Sequence, residues 1–146
     1  MDVRDARDTG DATAGPRLSS SLARAARAVT ARVEQVLRSE NVTFDQWLVL
    51  DALAAEGGLT MSELTARTLA TGPTLTRVVD RLVTVAAAYR EVDLDDRRRV
   101  RVHLSTRGRA QHARLAGRVA EVEEEMLGSL SRTGPLFTAL DRLGDG

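Results

Sequence analysis

The sequence of this 146-residue chain predicts a mainly α-helical fold with one small β-hairpin, an α+β class. Apolar residues recur at steps of three and four along most of the chain, which is the period of an amphipathic helix. The segment Asp93–Gly108 instead alternates strictly, with Val100, Val102 and Leu104 on one face. That alternation predicts a half-buried strand, and the aspartates before it predict the turn of a hairpin.

Length and composition set the frame for this prediction. The chain is long enough for one domain, expected over residues 17–146 after a disordered, charge-alternating tail over residues 1–16. Formal net charge is zero, so nucleic-acid binding would require local segregation of charge. Such segregation exists, because six arginines and no acidic residue lie between Arg97 and Arg109. Cysteine is absent, which excludes disulfides and thiol chemistry, and the lack of a signal or membrane-length segment predicts a cytoplasmic protein without a membrane partner.

The first two helices follow from periodicity and capping. Apolar positions predict a helix from Leu18 to about Arg38. Thr43 is expected to cap the second helix, with Gln46 completing a capping box, and this helix should stop at Gly57-Gly58. Leu59-Thr60 can provide only a short extended link.

Two short helices come next. One is predicted from Met61 to about Thr68, and another over about residues 72–85, with Pro73 in its first turn. The second has an apolar stripe on one side and a Thr- and Arg-rich opposite side. This pair has the form of a helix-turn-helix.

The hairpin and the last helices complete the order. The hairpin over about residues 87–105 makes residues 43–106 a winged helix-turn-helix, with the hairpin as its wing. A long helix, capped by Ser105 or Thr106, should run to about Leu130, where Gly134-Pro135 break the chain before a last short helix. The flanking segments 17–40 and 107–146 have apolar faces too long for this small module to cover, so we expect them to be dimerisation helices.

Four segments together closely resemble the MarR family of bacterial transcription regulators. TFDQWLVLDALA is similar to the second helix of the family, LTMSELTART to the first helix of its helix-turn-helix, and TGPTLTRVVDRLV to its recognition helix. DLDDRR followed by VRVHLSTRG is similar to its wing signature. The resemblance spans Leu18 to Leu143. Ala86–Ala88 replace the common Gly-Leu-Val/Ile, which predicts a slightly altered exit from the recognition helix, and Leu94 replaces a common proline.

The resemblance implies a homodimeric repressor of a nearby or its own promoter, whose recognition helices enter successive major grooves of a palindromic operator. Arg77 is the best candidate for a guanine contact, and Arg81 could instead be held by Asp80, Glu63 or the wing. In the wing, Asp96 should pair with Arg98 or Arg99, and Arg97 should reach the minor groove. The candidate DNA contacts are Thr74, Thr76, Arg77, Arg81, Arg97, Arg98 and Arg99; their alternative role is a solvated surface.

The resemblance also implies a small phenolic or carboxylate effector between the dimerisation helices and the DNA-binding lobe. Candidate contacts are Arg24, Arg27, Trp47 and His112, although Trp47 on an apolar face is also typical of a core residue. No nucleophile–base pair, phosphate loop or metal spacing is present, so no enzyme, metal or cofactor is predicted. The alternative function is a winged-helix protein–protein interaction module without DNA binding, which the alanine-rich start of the wing favours.

Overall fold

The computed structural model describes Gly15 and residues 17–146, so the tail predicted over residues 1–16 lies outside the described residues except for Gly15. Within that range six α-helices surround a small antiparallel sheet, the α+β winged-helix arrangement that the sequence predicts. The elements are α1 (Leu18–Leu37), a 3-10 turn (Arg38–Glu40), α2 (Phe44–Glu56), β1 (Leu59–Thr60), α3 (Met61–Arg67), α4 (Gly72–Thr84), β2 (Ala88–Val92), β3 (Val100–Leu104), α5 (Thr106–Leu127) and α6 (Gly134–Gly144).

The sheet has three strands, in the order β1-β3-β2. The predicted hairpin forms β2 and β3, with Tyr89 opposite His103 and Val92 opposite Val100. The expected link Leu59-Thr60 is itself a strand, because Leu59 pairs with Val102 of β3. The sheet therefore joins the wing to the segment just before the helix-turn-helix.

Side-chain caps fix the starts of three helices. Thr43 and Gln46 form the predicted capping box of α2, and Thr60 and Glu63 form a second one at α3. Ser105 caps α5 by accepting the N–H of Gly108 at 3.0 Å. Each cap satisfies N–H groups that have no partner inside the helix.

The core lies between α2, α4, the sheet and the last turns of α1. Leu37, Leu50, Leu75 and Leu115 are at most 1% exposed. The helices α1 and α5 pack against each other, and Val33 and Val119 are buried among the residues of these helices. The helix-turn-helix is therefore held by packing against the same core as the flanking helices.

The chain keeps a left-handed turn after α4 although it has no glycine there. Ala86 itself adopts φ of 60°, so the turn usually given to glycine is formed by an alanine. Ala87 and Ala88 follow as buried residues, and the carbonyl of Ala87 accepts the N–H of Ser105 at 3.0 Å. The alanine-rich start of the wing is thus packed and hydrogen-bonded.

The two ends of the described chain are poorly covered. In α1 only residues of the last turns are buried, while Leu18 is 58% exposed. Gly134-Pro135 begin α6 instead of merely breaking the preceding helix, and α6 has no buried residue. Its exposed apolar side chains are Leu136, Phe137, Leu140 and Leu143. None of the helices in the described range is both long and apolar enough to cross a membrane.

Candidate nucleic-acid interface

The helix-turn-helix presents α4 as its outer helix. Leu75, Val78, Val79 and Leu82 form the buried stripe of α4. Gly72, with φ of 46°, and Pro73 start this helix after a four-residue turn over 68–71. Because one face is fully used by the core, the opposite face is available for a partner.

The outward face of α4 carries the four predicted contact residues. Thr76, Arg77 and Arg81 are exposed, whereas Thr74 is half-buried. The hydroxyl of Thr76 donates to the carbonyl of Gly72 at 3.3 Å, a bond within the helix. Neither Arg77 nor Arg81 has an ion-pair partner among the described residues.

Both acids that the sequence offered to Arg81 are occupied by other arginines. Asp80 is bonded by the guanidinium of Arg90 in β2. Glu63 lies 3.3 Å from Nη1 of Arg101 in β3. Arg81 is therefore not held by either acid.

The wing turn divides its three arginines. Oδ2 of Asp96 lies 3.6 Å from Nε of Arg99, and Oδ1 of Asp96 accepts the backbone N–H of Arg98 at 3.0 Å. The side chains of Arg97 and Arg98 are exposed and have no ion-pair partner in the part of the chain that the structure describes. Asp96 thus stiffens the turn while two guanidinium groups stay exposed.

A fourth wing arginine, Arg101, contacts three other residues, a role that the sequence did not predict. Its Nε donates to Oδ2 of Asp93 at 2.9 Å, and its Nη1 donates to the carbonyl of Gly58 at 3.1 Å. The N–H of Asp95 and then the Arg101 guanidinium hold the pKa of Asp93 below its ordinary value. The pKa of Glu63 is also lowered, first by the N–H of Thr60 and then by the charge of Arg101. In the hairpin register Arg101 lies opposite Glu91, so Asp93 is its diagonal neighbour, and this diagonal placement was the signal that could have indicated the pair.

Ion pairing therefore sorts the arginines of this lobe. Those that lie between elements are bonded to carboxylates, namely Arg67, Arg90 and Arg101. Those on the outward face of α4 and at the tip of the wing have no carboxylate partner among residues 17–146, namely Arg77, Arg81, Arg97 and Arg98. The second group places unneutralised positive charge on the two features that touch DNA in winged helices.

Two of the four candidate effector contacts come together. The rings of Trp47 and His112 stack with centroids 5.1 Å apart, and Nε2 of His112 lies 2.9 Å from Oδ1 of Asp51. Trp47 is buried, as expected for a core residue, and it lines the contact between α2 and α5. Arg24 and Arg27 lie on the exposed part of α1, without an ion-pair partner among the described residues.

The histidines and carboxylates of the described residues do not meet the requirements of a metal site. Within the described residues, no group of three or more His, Asp or Glu side chains is arranged to hold a metal ion. His103 stacks on Tyr89 with centroids 5.3 Å apart and lies 3.4 Å from Glu91, so it belongs to the outer face of the wing.

Comparison with known proteins identifies this arrangement. A MarR family model matches residues 40–99, which run from the end of the 3-10 turn through the helix-turn-helix to the tip of the wing. The HTH-type transcriptional regulator FarR of Neisseria gonorrhoeae is 27% identical over 114 residues, which are 76% of this chain and 78% of FarR. Over these residues the chain is similar to the MarR family.

Solved structures of MarR-like regulators share the fold. Bordetella bronchiseptica BpsR, whose DNA binding is regulated by 6-hydroxynicotinic acid, superposes with a TM-score of 0.79 at 23% identity, over 89% of this chain and 94% of BpsR. NadR in complex with 4-hydroxyphenylacetate gives a TM-score of 0.80 at 23% identity, over 99% of this chain and 98% of NadR. The winged helix-turn-helix fold that the sequence predicts is therefore confirmed.

Proposed function

We propose that this protein is a MarR family transcription regulator that binds DNA sequence-specifically, as a homodimeric repressor of a nearby or its own promoter in the cytoplasm. The observation that supports it best is the group of exposed arginines on α4 and the wing tip, which have no ion-pair partner within the described part of the chain. Surface arginines beside carboxylates readily form ion pairs, and three neighbours of these residues do so. Leaving Arg77, Arg81, Arg97 and Arg98 free keeps their guanidinium groups available for phosphates and base edges.

Each part of this surface suits a different groove. Arg77 is exposed in the first half of α4, from where a helix reaches base edges in the major groove, and its fork matches the O6 and N7 atoms of guanine. Thr74, Thr76 and Arg81 flank it as contacts to phosphate or to a thymine methyl group. Arg97 and Arg98 at the wing tip suit a narrow minor groove, whose negative potential attracts arginine.

The exposed ends of the chain support a homodimer. A row of apolar side chains on α6 and the first turns of α1 is uncovered in one copy of the chain. Burial against the same surfaces of a second copy would remove these side chains from water. Two-fold symmetry then requires an operator with two half-sites, about 34 Å apart along the duplex.

The stacked pair of Trp47 and His112 supports an aromatic effector. A ring that inserts beside this pair would disturb the contact between α2 and α5, and a carboxylate could be met by Arg24 or Arg27 of α1. The DNA binding of BpsR is regulated by 6-hydroxynicotinic acid, and NadR forms a complex with 4-hydroxyphenylacetate. Such an effector would release DNA by favouring a dimer with wrongly spaced recognition helices.

Footprinting on the DNA that flanks its own gene tests this function. The purified chain should protect a palindrome, and an effective aromatic acid should remove that protection. Because Trp47 is the single tryptophan, quenching of its fluorescence by 4-hydroxyphenylacetate or 6-hydroxynicotinate measures effector binding independently. A chain that protects no sequence would instead favour the protein-binding module.

Salt dependence tests whether the exposed arginines bind phosphates. If a dimer neutralises about eight phosphates, affinity should fall roughly 10³–10⁵-fold between 50 and 200 mM salt. A nearly flat response would contradict the proposed role of the free arginines.

A further inference from the structure

We propose that Arg101 is the positioning residue of the wing, which fixes the angle between the wing and the helix-turn-helix and so determines where Arg97 and Arg98 meet DNA. This proposal rests on the proposed DNA-binding function. Arg101 does not itself need to touch DNA.

The contacts of Arg101 join three separate segments of the chain. Its guanidinium donates to Asp93 at the base of the wing turn, to the carbonyl of Gly58 in the loop before β1, and towards Glu63 in the first turn of α3. Glu63 in turn accepts the N–H of Thr60 at 2.8 Å. One planar side chain therefore links the wing, the edge of the sheet and the first helix of the helix-turn-helix.

Shielding distinguishes this link from an ordinary surface ion pair. The side chain of Asp93 is 14% exposed and that of Arg101 is 31% exposed, against 48% and 62% for the Asp96–Arg99 pair. Exposed pairs contribute little because solvent screens them and side-chain entropy opposes them. A multidentate arginine with shielded acceptors holds geometry far better.

The same aspartate organises the wing turn. Oδ1 of Asp93 accepts the N–H of Asp95 at 3.0 Å, and the N–H of Asp93 donates to the carbonyl of Arg99 at 2.8 Å. The turn that carries Arg97 and Arg98 is therefore closed on the residue that Arg101 holds. Binding groups must be held within about 0.5 Å of their productive positions, so a loosened base would displace both arginines.

Neutralising Asp93 gives a test of the proposal. Its effect on charge and its effect on the position of the wing should change the affinity for DNA in opposite directions. Asp93→Asn removes a negative charge next to DNA, which on charge alone should tighten binding. If Arg101 positions the wing through Asp93, the variant should bind the operator roughly ten-fold more weakly instead. Asp95→Asn is the matched control, because it removes the same charge two residues away and its carboxylate makes no ion pair among the described residues; it should bind as tightly as the unaltered chain or more tightly.

Hydroxyl-radical footprints of the full chain locate the loss. Asp93→Asn and Arg101→Met should lose protection in the minor grooves flanking each half-site, whereas protection of guanine N7 from dimethyl sulfate in the major groove should be kept. Arg101→Lys, which retains the charge and one donor direction, should recover part of the affinity. If Arg101→Met fails to fold, Asp93→Asn and Arg101→Lys still give the comparison.

The outcomes separate this proposal from the function beneath it. If the unaltered chain does not bind DNA, the proposed function fails and the positioning role fails with it. If the unaltered chain binds and Asp93→Asn binds at least as tightly with an unchanged footprint, the positioning role alone is overturned.

Discussion

The arginines of this chain carry the same guanidinium group but differ in how available that group is for binding DNA. A guanidinium already bonded to a carboxylate must lose that partner before it can bind DNA, whereas Arg77 and Arg97 have no partner to lose in the described part of the chain. All 21 basic residues are arginine, so residue type alone cannot separate the two classes. Their ion-pair partners separate them.

Arg77→Ala tests the recognition of a base by a single residue. Losing a bidentate contact to guanine should reduce the preference for operator over random DNA by about 1–3 kcal/mol. Competition binding at fixed salt measures that preference. Arg38→Ala, which removes an exposed arginine from the 3-10 turn, is the control and should leave the preference unchanged. Equal weakening of operator and random DNA by Arg77→Ala would make Arg77 a phosphate contact only.

Ala86→Gly should stabilise the chain by about 0.5–1 kcal/mol, because the left-handed conformation opposes a Cβ atom more than glycine's extra flexibility in the unfolded chain offsets. Urea unfolding monitored by Trp47 fluorescence gives the free energy of unfolding. The neighbouring Ala87→Gly is the control and should destabilise, since Ala87 is buried and its φ is not positive. Equal effects of the two substitutions would show that Ala86 is not strained.

Residue roles were the least predictable part of the site. The sequence indicated which residues of α4 face outward, because helical periodicity fixes that directly. It indicated that Asp96 would stiffen the turn, but it missed Arg101. The partners of Arg101 lie 8, 38 and 43 residues away, and only the folded sheet brings them together.

Whole elements were easier to anticipate, for a physical reason. Local caps and apolar spacing within a few residues predict helices α2 and α5. The strand β1 has only two residues and exists because Val102, more than 40 positions later, pairs with it. Local sequence cannot report such a partner, so the segment looked like a link.

The wing and α5 approach each other closely at Gly108. A Cβ atom on Gly108 would lie 1.9 Å from the carbonyl oxygen of Ala87, and a backbone atom cannot move away as a side chain can. Gly108→Ala should therefore destabilise the chain by about 1–3 kcal/mol. Gly117→Ala on the same helix meets no atom within 4 Å and should stabilise by about 0.5–1 kcal/mol. Thermal unfolding of the pair checks this, and similar shifts in both variants would contradict the close approach.

Acid should loosen the wing through its carboxylates. The lowered pKa values of Asp93 and Glu63 mean that the fold favours their charged forms. Their contribution to stability is present above the ordinary pKa of a carboxyl group and is lost as pH falls through the lowered value, that is, below about pH 4. Asp93→Asn should be less stable than the unaltered chain at pH 6 and should lose less on acidification to pH 3. Parallel stability curves from urea unfolding would rule out a role for Asp93.

The molecule as a whole is organised as a packed centre with uncovered ends. The winged helix-turn-helix and the last turns of α1 share one core, while α6 contributes nothing to it. An amphipathic helix that buries no residue gains little stability from its own chain. The proposed homodimer would cover this helix with a second copy of the chain.

Phe137→Asp tests that arrangement and links it to DNA binding. Phe137 is 51% exposed in one copy and lies on the apolar face of α6, so a charge there should be expelled from a dimer interface. Sedimentation velocity should show a shift from dimer to monomer at micromolar concentration, with the helix content of the monomer largely kept. Thr138→Asp, about 100° around the same helix, is the matched control and should leave the dimer intact.

Because one operator must engage two recognition helices at once, the Phe137→Asp chain should also lose most of its affinity for a two-half-site operator while it keeps its affinity for a single half-site. A variant that stays dimeric, or one that becomes monomeric yet binds the full operator as tightly as before, would show that the ends of the chain do not set the spacing of the recognition helices.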